Sequence, residues 1–260
     1  MSIQIDFSGR CVLVTGGTRG VGKGSSERFL AAGADVVICG RNAPDALPEA
    51  EGREAVFVAA DVREIEQIDA LVSQAEERFG RVDVLVNNAG GAPAADSATV
   101  SPRFNESIVR LNLIAPLNLA QRVNQVMQRQ PEGGVIINIA SVSGIRPTPG
   151  TVAYGAAKAG LLNVTETLAV EWAPRVRVVA VTSGMIRTEQ WELHYGADEG
   201  GAVAGNTVPL GRLGEPRDVG EACVFLASPL ASYVSGSSLL VHGGGEKPAY
   251  LQAVEEPDAS

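Results

Sequence analysis

CVLVTGGTRGVG, residues 11–22, is a short apolar strand that runs into a glycine-rich turn, and the amphipathic segment SSERFLAAG follows at residues 25–33. A strand, a glycine turn and a helix in this order form the context of a dinucleotide-binding loop. Gly16 permits the tight turn, and Gly20 and Gly22 let the backbone approach a pyrophosphate and the strand closely. The helix N-terminus offers free N–H groups and a partial positive charge to phosphates. An ordinary strand–helix turn is the alternative for a chain with 30 glycines.

Apolar runs rich in Val and Ile alternate with helical patterns along the rest of the chain, as is typical of parallel strands covered on both faces. Strands are predicted within residues 11–15, 34–40, 55–61, 82–88, 134–141, 176–183 and 237–243. Helices are predicted at 21–32, about 64–79, 105–129, 152–173 and 216–227. The alternation predicts an α/β fold in which a doubly wound, mostly parallel seven-stranded sheet carries helices on both faces. One domain is expected over residues 1–260, with a tail at 246–260.

The composition limits the possible partners and the compartment. A net charge of −9 argues against nucleic acid and anionic membrane as partners, because both require clustered positive charge. Cys11, Cys39 and Cys223 lie in apolar contexts without metal-ligand spacing, so buried thiols and no metal site are expected. No signal peptide is recognisable at the N-terminus, and no apolar run reaches the ~18 residues of a membrane span. A cytoplasmic protein is expected.

A candidate catalytic group lies in the run YGAAK. Tyr154 and Lys158 are four residues apart and share one helix face, and Ser141 lies upstream of both. A tyrosine with its ordinary pKa of about 10 is a poor acid–base group at neutral pH, but a neighbouring positive charge favours the phenolate. The pair could therefore move a proton on or off an oxygen. A tyrosine packed under a lysine stem is the alternative explanation of the same spacing.

Several motifs occur together in a known order: TGGTRGVG at 15–22, NNAG at 87–90, Asn112, Ser141 and YGAAK at 154–158. With these motifs the chain resembles the short-chain dehydrogenase/reductase family from about Gly9 to Gly245. The resemblance implies a Rossmann fold and an enzyme that transfers a hydride between a nicotinamide cofactor and a carbonyl or secondary alcohol.

The resemblance also implies roles for four catalytic residues. Tyr154 is the acid–base group, Lys158 lowers its pKa and bonds the nicotinamide ribose, and Ser141 holds the substrate oxygen. Asn112 would kink its helix and hold a water that connects Lys158 to solvent. The alternatives are that Ser141 only caps a helix and that Asn112 is a buried polar group satisfied by the protein.

The cofactor would be held by residues at the carboxyl ends of the strands. The implied set is Gly16, Thr18, Arg19, Gly20, Val21, Gly22, Arg41, Asp61, Val62, Asn88, Ala89, Gly90, Tyr154, Lys158, Ile186 and Thr188. Arg41 occupies the tip of the second strand, where a carboxylate would select NAD, and Arg19 lies in the glycine loop. Two guanidinium groups beside one 2′-phosphate favour NADP(H). In the alternative, Arg41 stacks on adenine, Arg19 faces solvent and NAD(H) serves.

The segment 185–212 has the place of the family's substrate lid, and Trp191, Leu193 and Tyr195 could supply an apolar wall. Arg146 and Arg187 could meet an anionic substrate group or remain solvated, and the roles of His194 and His242 stay open. Ser183-Gly184 replaces the usual Pro-Gly, so a less fixed nicotinamide loop is expected.

The resemblance implies carbonyl reduction with NADPH, on a 3-oxoacyl thioester, a steroid or another alicyclic ketone, and a homotetramer or homodimer as the assembly. An NAD-dependent alcohol dehydrogenase is the alternative. A non-catalytic dinucleotide-binding regulator would usually lose Tyr154 or Lys158, and a sugar-nucleotide epimerase would need a larger C-terminal domain.

Overall fold

A computed structural model of the chain describes residues 5–189, 191 and 204–248. The strands are β1 (Cys11–Thr15), β2 (Asp35–Gly40), β3 (Glu49–Ala50), β4 (Arg53–Glu54), β5 (Val56–Ala59), β6 (Val84–Asn87), β7 (Gly134–Ser141), β8 (Val176–Ser183) and β9 (Ser238–Val241). Seven of them form a parallel sheet in the order β5–β2–β1–β6–β7–β8–β9. The predicted Rossmann-type α/β fold is therefore confirmed. The short antiparallel pair β3–β4 was not predicted.

The sheet is buried on both faces because alternate residues of its strands enter two separate hydrophobic clusters. In β1, Cys11 and Leu13 join one cluster, and Val12 and Val14 join the other. All five residues of β1 are buried, as the continuous apolar run predicts.

The helices are α1 (Gly20–Ala31), α2 (Ile65–Phe79), α3 (Pro102–Val109), α4 (Ala115–Met127), α5 (Val152–Glu171) and α6 (Pro216–Ala227). Residues of α1 and α6 pack in one cluster, and residues of α2, α4 and α5 pack in the other. In the described part of the chain no helix is both long and apolar enough to cross a membrane.

The helix predicted at 105–129 differs from the observed one at its start and in its middle. The observed helix begins at Pro102, and the hydroxyl of the preceding Ser101 accepts a hydrogen bond from the Phe104 N–H at 3.2 Å. A π-helical turn at Arg110–Ile114 separates α3 from α4. The reason lies in Asn112, whose side-chain Nδ2 donates to the Ile108 carbonyl at 2.9 Å. That carbonyl lies four residues earlier, so the side chain competes for the acceptor that the α-helical N–H would use.

Strand order reverses at β1, which has β2 on one side and β6 on the other. In an open parallel sheet the ligand crevice lies outside the carboxyl ends of the strands at such a switch point. The glycine loop follows β1, Asn88 follows β6, and Ser141 ends β7. The fold thus brings the predicted site residues to one edge of the sheet.

Candidate active site

The turn between β1 and the start of α1 leaves no room for side chains at its glycines. Gly16 has a φ of +62°, which L-residues with a Cβ rarely adopt. A Cβ on Gly22 would lie 2.2 Å from the Gly16 carbonyl oxygen. Helix α1 begins at Gly20, and Arg19 at its N-cap makes no side-chain capping bond. Because the first N–H groups of a helix lack intrahelical partners, this cradle fits a pyrophosphate.

A threonine that sequence reasoning missed fixes the glycine loop to the neighbouring strand. The buried Thr15 hydroxyl accepts hydrogen bonds from the N–H groups of Asn88 and Ala89, both at 2.9 Å. In return, Asn88 Nδ2 donates to the carbonyl oxygens of Thr15 at 2.8 Å and Gly16 at 3.3 Å. The available sequence signal was a polar residue at the end of an apolar strand. Asn88 and Ala89 therefore hold the loop into which the cofactor was predicted to bind.

The rim of the predicted adenine side carries both arginines. Arg19 and Arg41 are exposed, and Arg41 directly follows β2. Asp61 is engaged by Arg63, whose Nε donates to Oδ1 at 2.9 Å. That bonded guanidinium, with a smaller contribution from the charge of Arg41, holds the pKa of Asp61 below its ordinary value. The Asp61 carboxylate therefore stays charged.

Three further residues predicted to bind cofactor lie around this rim. Val62 is buried next to Asp61, and the half-buried Thr18 lies against the tip of β2, with its Cγ2 3.5 Å from the place a Cβ on Gly40 would take. Val21, in the first turn of α1, is also half-buried.

Ser141 and Tyr154 meet at the carboxyl end of β7. Ser141 is the last residue of β7, and Tyr154 lies in the first turn of α5. Burial raises the pKa of Tyr154, and its hydrogen bond with the Ser141 side chain acts in the opposite direction. Ser141 Oγ also accepts from the Ser143 N–H at 3.2 Å, capping a short 3₁₀ turn. Ser141 thus caps a turn, as the alternative explanation proposed, and its side chain also contacts Tyr154.

Lys158 is buried, and its charge is held by a backbone carbonyl. Nζ donates to the Ile139 carbonyl oxygen at 2.7 Å and lies 5.6 Å from the centroid of the Tyr154 ring. Burial lowers the pKa of Lys158 from 10.5 to about 8. The phenol pKa is raised rather than lowered as the resemblance implied, because desolvation of Tyr154 is the largest influence on it.

Asn112 connects the π turn to the loop after β6. Its Oδ1 accepts from the Gly91 N–H at 2.8 Å, and its Nδ2 donates to the Gly91 carbonyl at 3.0 Å as well as to Ile108. The alternative of a satisfied buried amide is therefore observed. A Cβ on Gly90 would lie 2.6 Å from Asn112 Oδ1 and 3.4 Å from Lys158 Nζ, so the Gly90 backbone passes beside both groups.

The loop after β8, with serine in place of proline, makes hydrogen bonds to both neighbouring strands, β7 and β9. Ser183 Oγ donates to the Ala140 carbonyl at 3.2 Å, and the Gly184 N–H donates to the Val241 carbonyl at 2.9 Å. A Cβ on Gly184 would lie 2.6 Å from the Cβ of His242, so the histidine packs directly over this loop. A less fixed nicotinamide loop therefore stays a prediction for this chain.

Beyond that loop the chain returns to the glycine loop. The buried Ile186 forms a parallel bridge with Gly214. Thr188 Cγ2 lies 3.2 Å from the place that a Cβ on Gly20 would take. The Glu189 carboxylate accepts a hydrogen bond from the Gly20 N–H, and sequence reasoning gave no sign of this contact. Of the predicted lid at 185–212, residue 190 and residues 192–203, including Leu193, His194 and Tyr195, lie outside the described part, as do residues 249–260 of the tail.

The two arginines considered for an anionic substrate group already have partners. Arg146 Nη2 lies 2.5 Å from Glu246 Oε1. The Arg187 guanidinium lies 5.1 Å from the ring centroid of Trp191. Neither is simply solvated.

A narrow cavity of about 10 Å³ lies beside Tyr154, which is room for about one water. Its lining is mostly apolar and includes Pro93, Phe104 and Ile108. Its polar side chains are those of Ser97, Asn105, Thr151 and Tyr154. The buried Oδ1 of Asn105 has no hydrogen-bond partner among the residues that the structure describes. Among these same residues no cluster of three or more His, Cys, Asp or Glu side chains could hold a metal ion.

Residues 16–246 match a family model described as enoyl-(acyl carrier protein) reductase. The chain is 37% identical over 247 residues to 3beta-hydroxysteroid dehydrogenase 1 of Eggerthella lenta, covering 92% of this chain and 94% of that protein. It is 36% identical over 245 residues to a 3-oxoacyl-acyl-carrier-protein reductase of Thermotoga maritima, covering 92% and 98%. The ligand-free structure of Thermoplasma acidophilum aldohexose dehydrogenase is similar with a TM-score of 0.84, 28% identity and 98% coverage of both chains.

Proposed function

This chain belongs to the short-chain dehydrogenase/reductase family and is an oxidoreductase acting on CH–OH groups, and from that premise we propose that Tyr154 moves the proton that accompanies hydride transfer to or from a carbonyl carbon. The observation that carries the proposal is the meeting of Ser141, Tyr154 and Lys158 at the carboxyl end of β7. The glycine cradle lies at the same edge of the sheet. A nicotinamide cofactor bound there would supply the hydride.

Tyr154 Oη gives its proton to the substrate oxygen in reduction and takes one in oxidation. Because burial raises the pKa of Tyr154, the phenol is protonated at neutral pH, which suits a proton donor to a ketone. Ser141 Oγ hydrogen-bonds the same substrate oxygen and holds it beside Oη. The two hydroxyls together orient the substrate oxygen and stabilise the charge that develops on it.

Lys158 supplies the next site for the proton. Its Nζ is buried and bonded to Ile139, and its pKa of about 8 lies close enough to neutrality for proton exchange. Because Gly90 has no side chain, the space between its backbone and Lys158 Nζ is open to the ribose of a bound cofactor. Lys158 would hydrogen-bond this ribose. Asn112 keeps Gly91 in place through two hydrogen bonds, and so acts on the same loop. A water bound to Asn112 would add one more hydrogen bond to the two that its side chain makes with Gly91.

NADP(H) is the proposed cofactor. The pyrophosphate would be held by the N-terminus of α1, and the 2′-phosphate by the exposed guanidinium groups of Arg19 and Arg41. Asp61 does not weigh against this assignment, because Arg63 already balances its charge. Asn88, Ala89 and Gly90 would line the ribose side, and Ile186 and Thr188 would meet the nicotinamide carboxamide.

The substrate proposed is a ketone with an apolar body: a 3-oxoacyl thioester, a steroid or another alicyclic ketone. The apolar lining beside Tyr154 supports it, and the names of the bacterial relatives fall in the same classes. The test is a panel of these ketones with NADPH and with NADH, followed by the loss of absorbance of the reduced cofactor. Turnover of none of them, with binding of either cofactor, would contradict the proposal.

NAD-dependent oxidation of a polar alcohol is the second candidate, favoured by the similarity to an aldohexose dehydrogenase structure. The same panel run in reverse, with sugar alcohols and NAD, distinguishes the two. The non-catalytic regulator is disfavoured because both Tyr154 and Lys158 are present and lie close together.

A single domain over residues 1–260 and a homotetramer, with a homodimer as the smaller alternative, complete the proposal. Support for the assembly comes from exposed large side chains on α5, in the segment before the edge strand β9 and in β9 itself, namely Val170, Leu230, Tyr233 and Leu240. A cytoplasmic site fits the three cysteines, which are free and buried.

A further inference from the structure

A carboxylate from the segment after β8 lies on the N-terminus of α1. The Gly20 N–H donates to Glu189 Oε2 at 2.9 Å and to Oε1 at 3.2 Å. Gly20 is the first residue of α1, so the carboxylate satisfies one of the N–H groups that have no partner within the helix. Arg19 at the N-cap provides no side-chain cap, and the distant Glu189 takes that position.

The same position is where an anionic ligand of this loop would bind. The helix N-terminus carries a partial positive charge that attracts either a carboxylate or a phosphate. Two anions placed on one N–H group repel each other, and the Gly20 N–H cannot donate fully to both. Thr188 is also packed against Gly20, and this contact further reduces the space for a phosphate beside the Gly20 N–H.

We propose that Glu189 is an internal competitor of the cofactor's pyrophosphate and thereby sets the affinity for the dinucleotide. The inference rests on the proposed function, because it takes the glycine loop as the pyrophosphate site. Glu189 must leave Gly20 before the phosphates bind. The measured Kd therefore equals the intrinsic Kd divided by the fraction of molecules in which Glu189 has left the site.

The hydrogen bonds around Glu189 show which part of the chain has to move. The Gly214 N–H donates to the Met185 carbonyl at 2.9 Å, and the Arg187 N–H donates to the Gly214 carbonyl at 2.7 Å. These bonds hold the chain up to Arg187 beside the start of α6. Displacement of Glu189 therefore requires rotation only after Arg187, and cofactor binding frees Thr188 and Glu189 from the glycine loop.

The test compares the Kd of wild type, Glu189→Gln and Glu189→Ala by fluorescence titration or calorimetry. Glu189→Gln keeps the shape and removes the charge, and we expect it to tighten NADPH and NADH alike by roughly 3- to 30-fold, the range of a charge effect at a helix N-terminus. Glu189→Ala also removes the oxygen atoms that accept the hydrogen bond from Gly20, and it should tighten the binding of both cofactors at least as much. ADP-ribose, which contains the pyrophosphate, should follow the dinucleotides, and adenosine, which lacks it, should bind all three proteins equally.

Glu77→Gln is the matched control, since Glu77 is an exposed glutamate near the C-terminal end of α2, at the opposite edge of the sheet. It should leave every Kd unchanged. Hydrogen exchange gives a second readout that needs no cofactor: the Gly20 amide should exchange faster in Glu189→Ala than in wild type.

Wild type that binds and turns over NADPH, with no tighter binding in either Glu189 variant, overturns this inference alone. The same holds if Gly20 exchange is identical in wild type and Glu189→Ala. Failure of all the proteins to bind any dinucleotide overturns the proposed function together with this inference.

Discussion

Lys158 Nζ donates a 2.7 Å hydrogen bond to the carbonyl oxygen of Ile139, which ties the middle of α5 to the end of β7. Ile139 lies two residues before Ser141, so the strand that positions the serine also holds the lysine. Lys158 is only 4% exposed, and this burial accounts for its lowered pKa. The arrangement keeps a positive charge in the interior beside the candidate acid–base group.

That buried charge should be visible in the pH dependence of stability. The unfolded lysine keeps its proton up to about pH 10.5 and the folded one releases it near 8, so the unfolded chain binds more protons between these values. The free energy of unfolding of wild type, relative to Lys158→Met, should therefore rise by a few kcal/mol from about pH 8 to about pH 10. Urea denaturation of both proteins across this pH range measures the difference in their free energies of unfolding. A difference that does not change with pH contradicts the lowered pKa of Lys158. The raised pKa of Tyr154 acts in the opposite direction at still higher pH.

Tyr154→Phe should stop catalysis while preserving the cofactor site. It removes one hydroxyl and keeps the ring, so kcat should fall by ~10²–10⁴-fold, the usual contribution of acid–base catalysis. The Kd for NADPH should change little. Tyr233→Phe is the matched control, because Tyr233 is fully exposed and remote from Ser141. A near-native rate in Tyr154→Phe would show that another group carries the proton.

Arg41→Ala should separate the two cofactors. A lost charge-assisted hydrogen bond to a 2′-phosphate should weaken NADPH binding by about 1–3 kcal/mol and leave NADH almost unchanged. Parallel Kd and kcat/KM measurements with both cofactors decide it, with Arg78→Ala, an exposed arginine near the end of α2, as the control. A wild-type kcat/KM for NADH equal to that for NADPH would reject the NADP assignment.

Gly22→Ala should abolish dinucleotide binding in a folded protein. The added methyl group would lie 2.2 Å from the Gly16 carbonyl and 2.5 Å from Asn88 Nδ2, so the loop must distort. Circular dichroism should show an intact fold, and calorimetry should detect no binding. Gly205→Ala is the control, because the nearest atom to its added Cβ is 3.6 Å away, an ordinary contact. Unchanged binding in Gly22→Ala would mean that the loop does not form the cofactor site.

Light scattering at micromolar concentration should give a mass of about four times 27.0 kDa, as expected for a homotetramer. Val170 is 81% exposed on α5, and placing a charge there should weaken an interface built on that helix. Val170→Asp should therefore reduce the mass toward that of a dimer or monomer. A monomer mass for wild type excludes the assembly.

The elements that could be predicted from the sequence are those with long, regular patterns. The strands 134–141 and 176–183 agree with the observed bounds of β7 and β8, because long segments rich in Val and Ile leave little choice. The prediction for β1 also agrees, whereas the other four strands of the large sheet were predicted one to three residues too long, as in 82–88 against Val84–Asn87. The ends of these strands are decided by pairing with neighbours, which a local pattern does not contain.

The candidate site was predictable in its residue types and not in its contacts. The Thr15 hydroxyl bonds to backbone groups 73 and 74 residues away, and Glu189 reaches Gly20 across 169 residues. Such contacts depend on the tertiary fold, so a single sequence gives no local signal for them. The direction of the Tyr154 pKa was missed for a related reason: burial depends on the whole packing around the phenol.

The π turn at Arg110–Ile114 has a consequence for the rotational phase of the helix that contains it. A π turn accommodates one residue more than an α-helical turn, and each residue of an α-helix advances the helix by about 100°. If the same residues were instead wound as continuous α-helix, with none deleted, α3 would rotate by about that angle relative to α4. Asn105 and Ile108 would then turn away from Tyr154, while the face of α4 packed on the sheet would stay where it is. The π turn thus lets the side of α3 that carries Asn105 and Ile108 meet the cavity beside Tyr154, while the apolar side of α4 stays on the core.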